Sequence, residues 1–282
     1  MERLDLVARF VVEGFFSGRH VSPYRGFSTD FSQHRAYVPG DDTRRVDWKA
    51  YGRTERYYLR EYQQETTLTA NILIDTSKSM AYSSGQLRKI EYAKMAAACL
   101  AYLVLDQQDT VSVMTFDSDL RPAIAPTSRM AALSDICEAL MPIEPDGAGD
   151  VPAVLHRAAE LLVRRGVVVV ISDFLSDPDA TLKGLQHLSF AGQDCLAVQV
   201  LDHAERTFPF SGACVFKGLE RGGRVFTDAG RLRKRYVAAM DAFQARLRQG
   251  CIAAQVDYLL ADTSSDLDKI LSAYLLSRGR HR

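Results

Sequence analysis

The chain has 282 residues, 47% of them hydrophobic, enough apolar side chain for one large or two small folded domains; a disordered or fibrous protein is excluded. Lys plus Arg and Asp plus Glu number 35 each, so the formal charge is zero and no global field draws the chain to nucleic acid or to an anionic membrane. Its five cysteines, Cys99, Cys137, Cys195, Cys214 and Cys251, are odd in number, widely spaced and without zinc-ligand spacing, which points to reduced thiols and a cytoplasmic setting.

No run reaches the roughly 20 apolar residues that cross a bilayer. Residues 1–17 carry Glu2, Arg3, Asp5, Arg9 and Glu13, so neither a signal peptide nor a transmembrane anchor is expected there. Leu4, Leu6, Val7, Phe10, Val11 and Phe15 fall at helical spacing and predict an amphipathic helix over 3–17, ended by Gly18, with its apolar face packed on the rest of the chain. Residues 18–55 show no period and read as an irregular segment with a turn at Pro39-Gly40-Asp41-Asp42. Arg44, Arg45, Lys49, Arg53, Arg56 and Arg60 interleave with Trp48, Tyr51, Tyr57 and Tyr58, a composition that can bind phosphates and bases. Asp41, Asp42, Asp47, Glu55, Glu61 and Glu65 are mixed through it, so internal pairing is the expected use, Trp48 anchors the segment, and no nucleic-acid partner is expected.

An extra strand is predicted over 56–66. It leads into Ala70, Ile72, Leu73 and Ile74, the continuous apolar run of a strand buried on both faces of a parallel sheet. That run stops at Asp75, followed by Ser77 and Ser79. A helix over 87–105 follows, then strands 110–116 and 120–124 around Asp117-Ser118-Asp119, the second an antiparallel edge, then a helix over 130–141. Pro152 opens a helix running to 163, beyond a breaker-rich loop. Strand 166–172, helix 179–190 and strand 195–201 continue the alternation of a doubly wound sheet. Residues 202–228 interrupt it with a β-hairpin excursion, turning at Gly222-Gly223, which can join strand 56–66 in a small subdomain. A helix over 230–249, a strand over 253–260 and a helix over 265–278 complete the fold. The expected division is 1–66 and 67–282.

Candidate chemistry gathers at the strand ends, where open α/β sheets bind ligands. Val167 to Ile171 is a second buried strand ending in Ser172-Asp173, which parallel pairing would bring beside Asp75. One carboxylate and two hydroxyls at Asp75, Ser77 and Ser79 are hard oxygen donors suited to Mg²⁺ or Mn²⁺. The same residues also suit a helix N-cap, as does Asp150 ahead of Pro152.

Asp75-x-Ser77-x-Ser79 with Ile171-Ser172-Asp173 resembles the metal-ion-dependent adhesion site of von Willebrand factor A domains. Arg35-Ala-Tyr37-Val-Pro39-Gly40-Asp41-Asp42, Val46-Asp47-Trp48-Lys-Ala50 and Arg53 resemble the signatures of a prokaryotic family known as domain of unknown function 58. The resemblance implies an A-domain fold with helices on both faces of a mostly parallel sheet. It also implies a metal site at Asp75, Ser77, Ser79 and Asp173, and commonly a MoxR-type AAA+ ATPase encoded nearby. It implies no established enzyme activity. The family's usual threonine ligand falls at Gly149 in Gly147-Ala148-Gly149-Asp150, so either water or Asp150 fills the place, weak binding is expected, and Gly149→Thr is expected to raise affinity.

The leading expectation is a non-enzymatic protein-binding module whose cation accepts a partner's carboxylate, the partner being a MoxR-type ATPase or its client. A Mg/Mn-dependent hydrolase or phosphatase using Asp75 as nucleophile is the alternative, and nucleic-acid binding through 44–60 a second one. The docking rim is expected at Lys78, Met80, Tyr82, 117–119, 148–150 and 174–177, with Met80 and Phe174 as exposed apolar anchors.

Overall fold

The computed structural model describes residues 33–36, 48–54, 57–61, 68–220 and 222–278, together with Leu4 and Ala8. The chain divides into two compact units, Pro23–Thr67 and the remainder, Met1–Ser22 with Leu68–Arg282.

In the smaller unit, β1 (Gln33–Ala36) pairs antiparallel with β2 (Tyr58–Glu61), and α1 (Trp48–Thr54) lies between them in sequence. The segment is therefore more regular than its lack of period implied. Four polar-rich residues are too few to show alternation, and Gly52 interrupts the helical pattern of α1. Tyr51 and Tyr57 stack at 4.5 Å, and Trp48 meets them edge-on at 6.2 and 6.5 Å. Trp48 stays 62% exposed, so it borders this aromatic group instead of anchoring the segment by burial. The turn expected at Pro39–Asp42 lies outside the described residues.

The larger unit is built on a six-stranded sheet of order β10-β7-β6-β3-β4-β5. Its strands are β3 (Thr69–Asp75), β4 (Thr110–Phe116), β5 (Leu120–Thr127), β6 (Val167–Ser172), β7 (Asp194–Leu201) and β10 (Asp257–Asp262). All neighbours are parallel except the β4–β5 pair, which makes β5 the antiparallel edge. Helices α2 (Lys89–Asp106), α3 (Ala132–Leu140), α4 (Val151–Leu161), α5 (Pro178–Phe190), α7 (Ala229–Ala253) and α8 (Leu267–Arg278) flank it, with the short α6 (His203–Thr207) after β7.

The strands' two-residue period sorts their side chains into two cores. Ile72, Ile74, Val113, Val169, Ile171 and Val198 pack with Ile90, Ala93, Ala97 and Leu100 of α2 and with Leu133 and Ile136 of α3. Leu73, Val168, Val170 and Ala197 face the other way, onto Val154, Leu155 and Ala158 of α4, Leu185 and Leu188 of α5, and Leu247 of α7. Burying each of the Val, Leu and Ile side chains contributes about 1.5–3 kcal/mol. Both faces of β3 and β6 are thus covered, as an unbroken apolar run requires. Of the expected N-terminal helix, Leu4 and Ala8 are helical; Ala8 is fully buried in the first core and Leu4 packs against it, and the rest of the expected helix lies outside the described residues.

The β10 strand begins at Asp257, four residues beyond the expected 253, because α7 runs on through Ala253 and the chain reverses at Gln255 with φ of 56°. The excursion after β7 is present, as β8 (Ala213–Lys217) and β9 (Arg224–Asp228). It does not join strand 56–66. Among the described residues β8 and β9 pair with each other, while β2 pairs with β1. None of the five cysteines is in a disulfide; four are buried and Cys214, in β8, is partly exposed. No described helix is long and apolar enough to cross a membrane.

Candidate functional site

Ile74 of β3 lies opposite Ile171 of β6, so parallel pairing brings the carboxyl ends of both strands, Asp75 and Ser172-Asp173, to one edge of the sheet. Asp75 is 1% exposed. Its Oδ1 accepts the Ser77 amide at 2.9 Å and its Oδ2 accepts the Ser172 hydroxyl at 2.6 Å. Each oxygen keeps a further lone pair. Ser77 Oγ and Ser79 Oγ lie 3.1 Å apart, and Ser79 is the more open of the two. Asp75, Ser77 and Ser79 therefore form one polar group at the entrance to a short 3₁₀ turn, Lys78–Ala81.

Asp173 sits beside this group with a different partner. Its Oδ2 accepts from Lys89 Nζ at 2.7 Å and its Oδ1 from the Leu175 amide at 3.0 Å. The same ammonium donates to Glu205 Oε1 at 2.8 Å. Lys89 is fully buried as the first residue of α2, so one cation ties the ends of β3's helix, β6 and α6. Burial works against the ammonium, but Asp173 and Glu205 outweigh it and hold its pKa above the ordinary lysine value. Asp75 has no such cation. Burial, reinforced by the Asp173 charge, pushes its pKa up to about 7 despite hydrogen bonds from Ser172 and Ser77.

The loop before α4 closes the other side. Asp146 N donates to Thr76 O at 2.9 Å, Lys78 N to Gly147 O at 3.1 Å, and Asp150 N to Asp117 O at 3.0 Å. These bonds press Gly149 onto Ser77 so closely that a Cβ at 149 would lie 2.9 Å from Ser77 Cβ. A threonine at 149 would therefore have to displace Ser77 before it could add a ligand, which argues against the expected gain in affinity. Asp150 is exposed and its Oδ1 accepts from Ala153 N at 3.1 Å, capping α4. The structure thus brings Asp75, Ser77, Ser79 and Asp173 together and gives Asp150 the cap role.

The expected rim needs one correction. Lys78, 118–119 and Leu175 are open, but Met80 and Phe174 are fully buried and cannot act as exposed anchors. Met80 turns into the first core through the 3₁₀ turn. Phe174 takes a left-handed φ of 53°, which swings its ring into the second core and leaves Leu175, 42% exposed, at the surface. Sequence reasoning passed over Lys89 and Glu220. A lysine opening a helix reads as solvated, although a buried acid at an adjacent strand end is a signal that it can be paired. Glu220, in the β8–β9 turn, brings its Oε1 to 3.4 Å from the Ser79 amide, across 141 residues of sequence.

Among the described residues no group of three or more His, Cys, Asp or Glu is placed to hold a metal. A cation here would draw on Asp75 and on the serine hydroxyls. The residues fit a small hard cation on two observations: the oxygen-only donor set, and a buried carboxylate whose charge no ammonium or guanidinium among the described residues offsets, Lys89 being engaged with Asp173 and Glu205.

Relatives and solved structures bear on the fold. An uncharacterized protein of Mycobacterium tuberculosis is 29% identical over 260 residues, covering 89% of this chain and 81% of its own. The conserved hypothetical protein BatB of Bacteroides thetaiotaomicron superposes with a TM-score of 0.51 at 16% identity, covering 76% of this chain and all (100%) of that one. An aerotolerance-related membrane protein of Bacteroides fragilis gives 0.50, again at 16% identity over 76% of this chain and 100% of that chain. The SpRpn10 VWA domain is also similar, at a TM-score of 0.44 and 12% identity, covering 75% of this chain and 95% of that one. The architecture, a mostly parallel sheet between two helical layers, is the fold shared with BatB. With a family model matching residues 33–246, the chain belongs to the family described as protein of unknown function DUF58.

Proposed function

We propose that this protein is a non-enzymatic protein-interaction module that holds Mg²⁺ or Mn²⁺ at Asp75, Ser77 and Ser79 and uses it to accept an acidic side chain of a partner. The observation that carries the reading is the buried, cation-free Asp75 carboxylate beside two hydroxyls that lead to the surface. A bound divalent ion would supply positive charge and an open position for a carboxylate. Asp75 provides the compensating charge, Ser77 and Ser79 neutral oxygens, and Ser172 orients Asp75 through its 2.6 Å hydrogen bond. Asp173, paired with Lys89, steadies the strand end. A binding role uses Asp75 where it is. A nucleophile 1% exposed would have to be reached by the substrate's own reacting atom, whereas a small ion needs only the oxygen lone pairs, so burial favours binding over hydrolysis.

The partner in this reading is a MoxR-type AAA+ ATPase or one of its clients, the company implied by the family resemblance. A pull-down with the MoxR-type ATPase of the same genome tests it. Binding is expected in Mg²⁺ and lost on chelation and in Ser77→Ala, with the variant still folded by circular dichroism. Binding that survives both changes would sink the reading.

A further inference from the structure

The β8–β9 hairpin stands out from the sheet that carries it. Its strands pair with each other; β8 alternates between exposed and partly exposed residues, and β9 is exposed at all but Thr227, with Val225 and Phe226 turned to solvent. What holds it is an aromatic group that reaches Phe216, near the tip end of β8. Phe208 contacts Phe210, Phe216 and Tyr236 at ring separations of 5.1, 5.3 and 4.5 Å, and Arg233 of α7 donates to the Phe208 carbonyl at 2.8 Å. Gly218 N donates to Gly223 O at 3.0 Å to close the tip, where Gly222 and Gly223 take φ of 61° and 131°, conformations that favour glycine. The hairpin is thus an arm seated through Phe216 and carrying a carboxylate in the turn just beyond it.

That carboxylate is directed at the site. Glu220 Oε1 accepts the Ser79 amide at 3.4 Å, a long bond. The point at which Gly149 lacks a Cβ lies 3.2 Å from Ser77 Oγ and 3.8 Å from Glu220 Oε1, so the tip carboxylate and the site hydroxyl line the same small space. The absence of a side chain at 149 is what leaves that space open. An acid aimed at two serines that have Asp75 behind them gathers like charge, which a cation joining them would offset.

We infer that Glu220 is an internal ligand of the strand-end cation, taking the position offered to a partner's acid, so that the β8–β9 hairpin is a lid clasped by the metal. The inference rests on the reading of Asp75, Ser77 and Ser79 as a cation site. A partner's carboxylate then competes with a residue of the same chain, and docking requires the arm to lift.

Hydrogen exchange of the 213–228 amides, with Mn²⁺ binding measured in parallel by calorimetry, tests it. In the wild-type protein saturating Mn²⁺ is expected to slow exchange of the hairpin by about tenfold, the factor that corresponds to about 1.4 kcal/mol of closing free energy. Glu220→Gln, on a partly exposed turn, is expected to keep its fold and still bind Mn²⁺ but to lose that protection. If Mn²⁺ binds in an Asp75-dependent manner and the wild-type hairpin exchanges at the same rate with and without it, the lid is overturned and the cation site stands. If wild type and Asp75→Ala give the same Mn²⁺ heat, the site reading fails and the lid fails with it.

Discussion

Asp75 and Asp173 end neighbouring parallel strands, are both almost fully buried, and differ in what answers their charge. Asp173 has an ammonium at 2.7 Å that also serves Glu205, while Asp75 has hydrogen bonds alone. The first arrangement is a finished structural tie: charges of both signs meet inside the fold and little is left for a ligand. The second is unfinished. Hydrogen bonds from Ser77 and Ser172 do not replace a cation, and the carboxyl sits near pKa 7 instead of the ordinary carboxylate range. One strand end therefore holds the fold together and the adjacent one has chemistry to spare.

The largest effect expected from breaking this contrast is at Lys89. Lys89→Met would leave Asp173 and Glu205 without their cation, at a cost of about 3–5 kcal/mol in urea unfolding. A loss below about 1 kcal/mol would show that the tie is not what holds these strand ends. Asp75 is expected to respond through its ligand. Mn²⁺ at about a hundred times its dissociation constant should stabilise the wild type by about 2.7 kcal/mol and Asp75→Ala not at all. Equal shifts in both proteins would place any ion elsewhere.

The pH dependence sharpens the same comparison. Asp75 titrates in the folded chain at about 7, above its unfolded value of 3.8, so its contribution is fully present below the lower value and is lost as pH rises through the upper one. In chelator, melting temperature should fall between pH 5 and pH 8, and Asp75→Asn should flatten that slope. A wild-type slope unchanged by the substitution would assign it to other groups. Gly149→Ala should destabilise by about 1–3 kcal/mol through its contact with Ser77, and calorimetry should show weaker Mn²⁺ binding, not stronger. The smallest effect belongs to the exposed pair of Lys78 and Asp146, 3.3 Å apart. Lys78→Ala should cost less than about 1 kcal/mol by the same unfolding measurement.

The parts of this molecule that sequence makes plain are those governed by local period. The runs ending at Asp75 and Ser172 are apolar on both faces because helices cover both faces, and that continuity identifies them as central strands. Asp75, Ser77, Ser79 and Asp173 are legible for the same reason, since each follows a strand end within a few residues. The misplacements have physical causes outside that period. Met80 and Phe174 follow strand ends too, yet a 3₁₀ turn and a left-handed backbone rotate them inward, a change no hydrophobicity pattern records. Lys89 looks like the solvated start of a helix until Asp173 and Glu205, 84 and 116 residues away, are known to meet it. Glu220 is harder still: its direction depends on how Phe208 and Tyr236 seat the arm, and nothing near it in sequence carries that information.

The cysteines carry a practical consequence. Cys99, Cys137, Cys195 and Cys251 are buried, and burial pushes the thiols of Cys99, Cys195 and Cys251 up to about 12, so they are slow to form the thiolate that alkylating dyes attack. Cys214 is partly exposed and lies in β8. A maleimide fluorophore or spin label added to the unaltered protein should therefore collect on the arm that carries Glu220, giving a native reporter of its position without any engineered site.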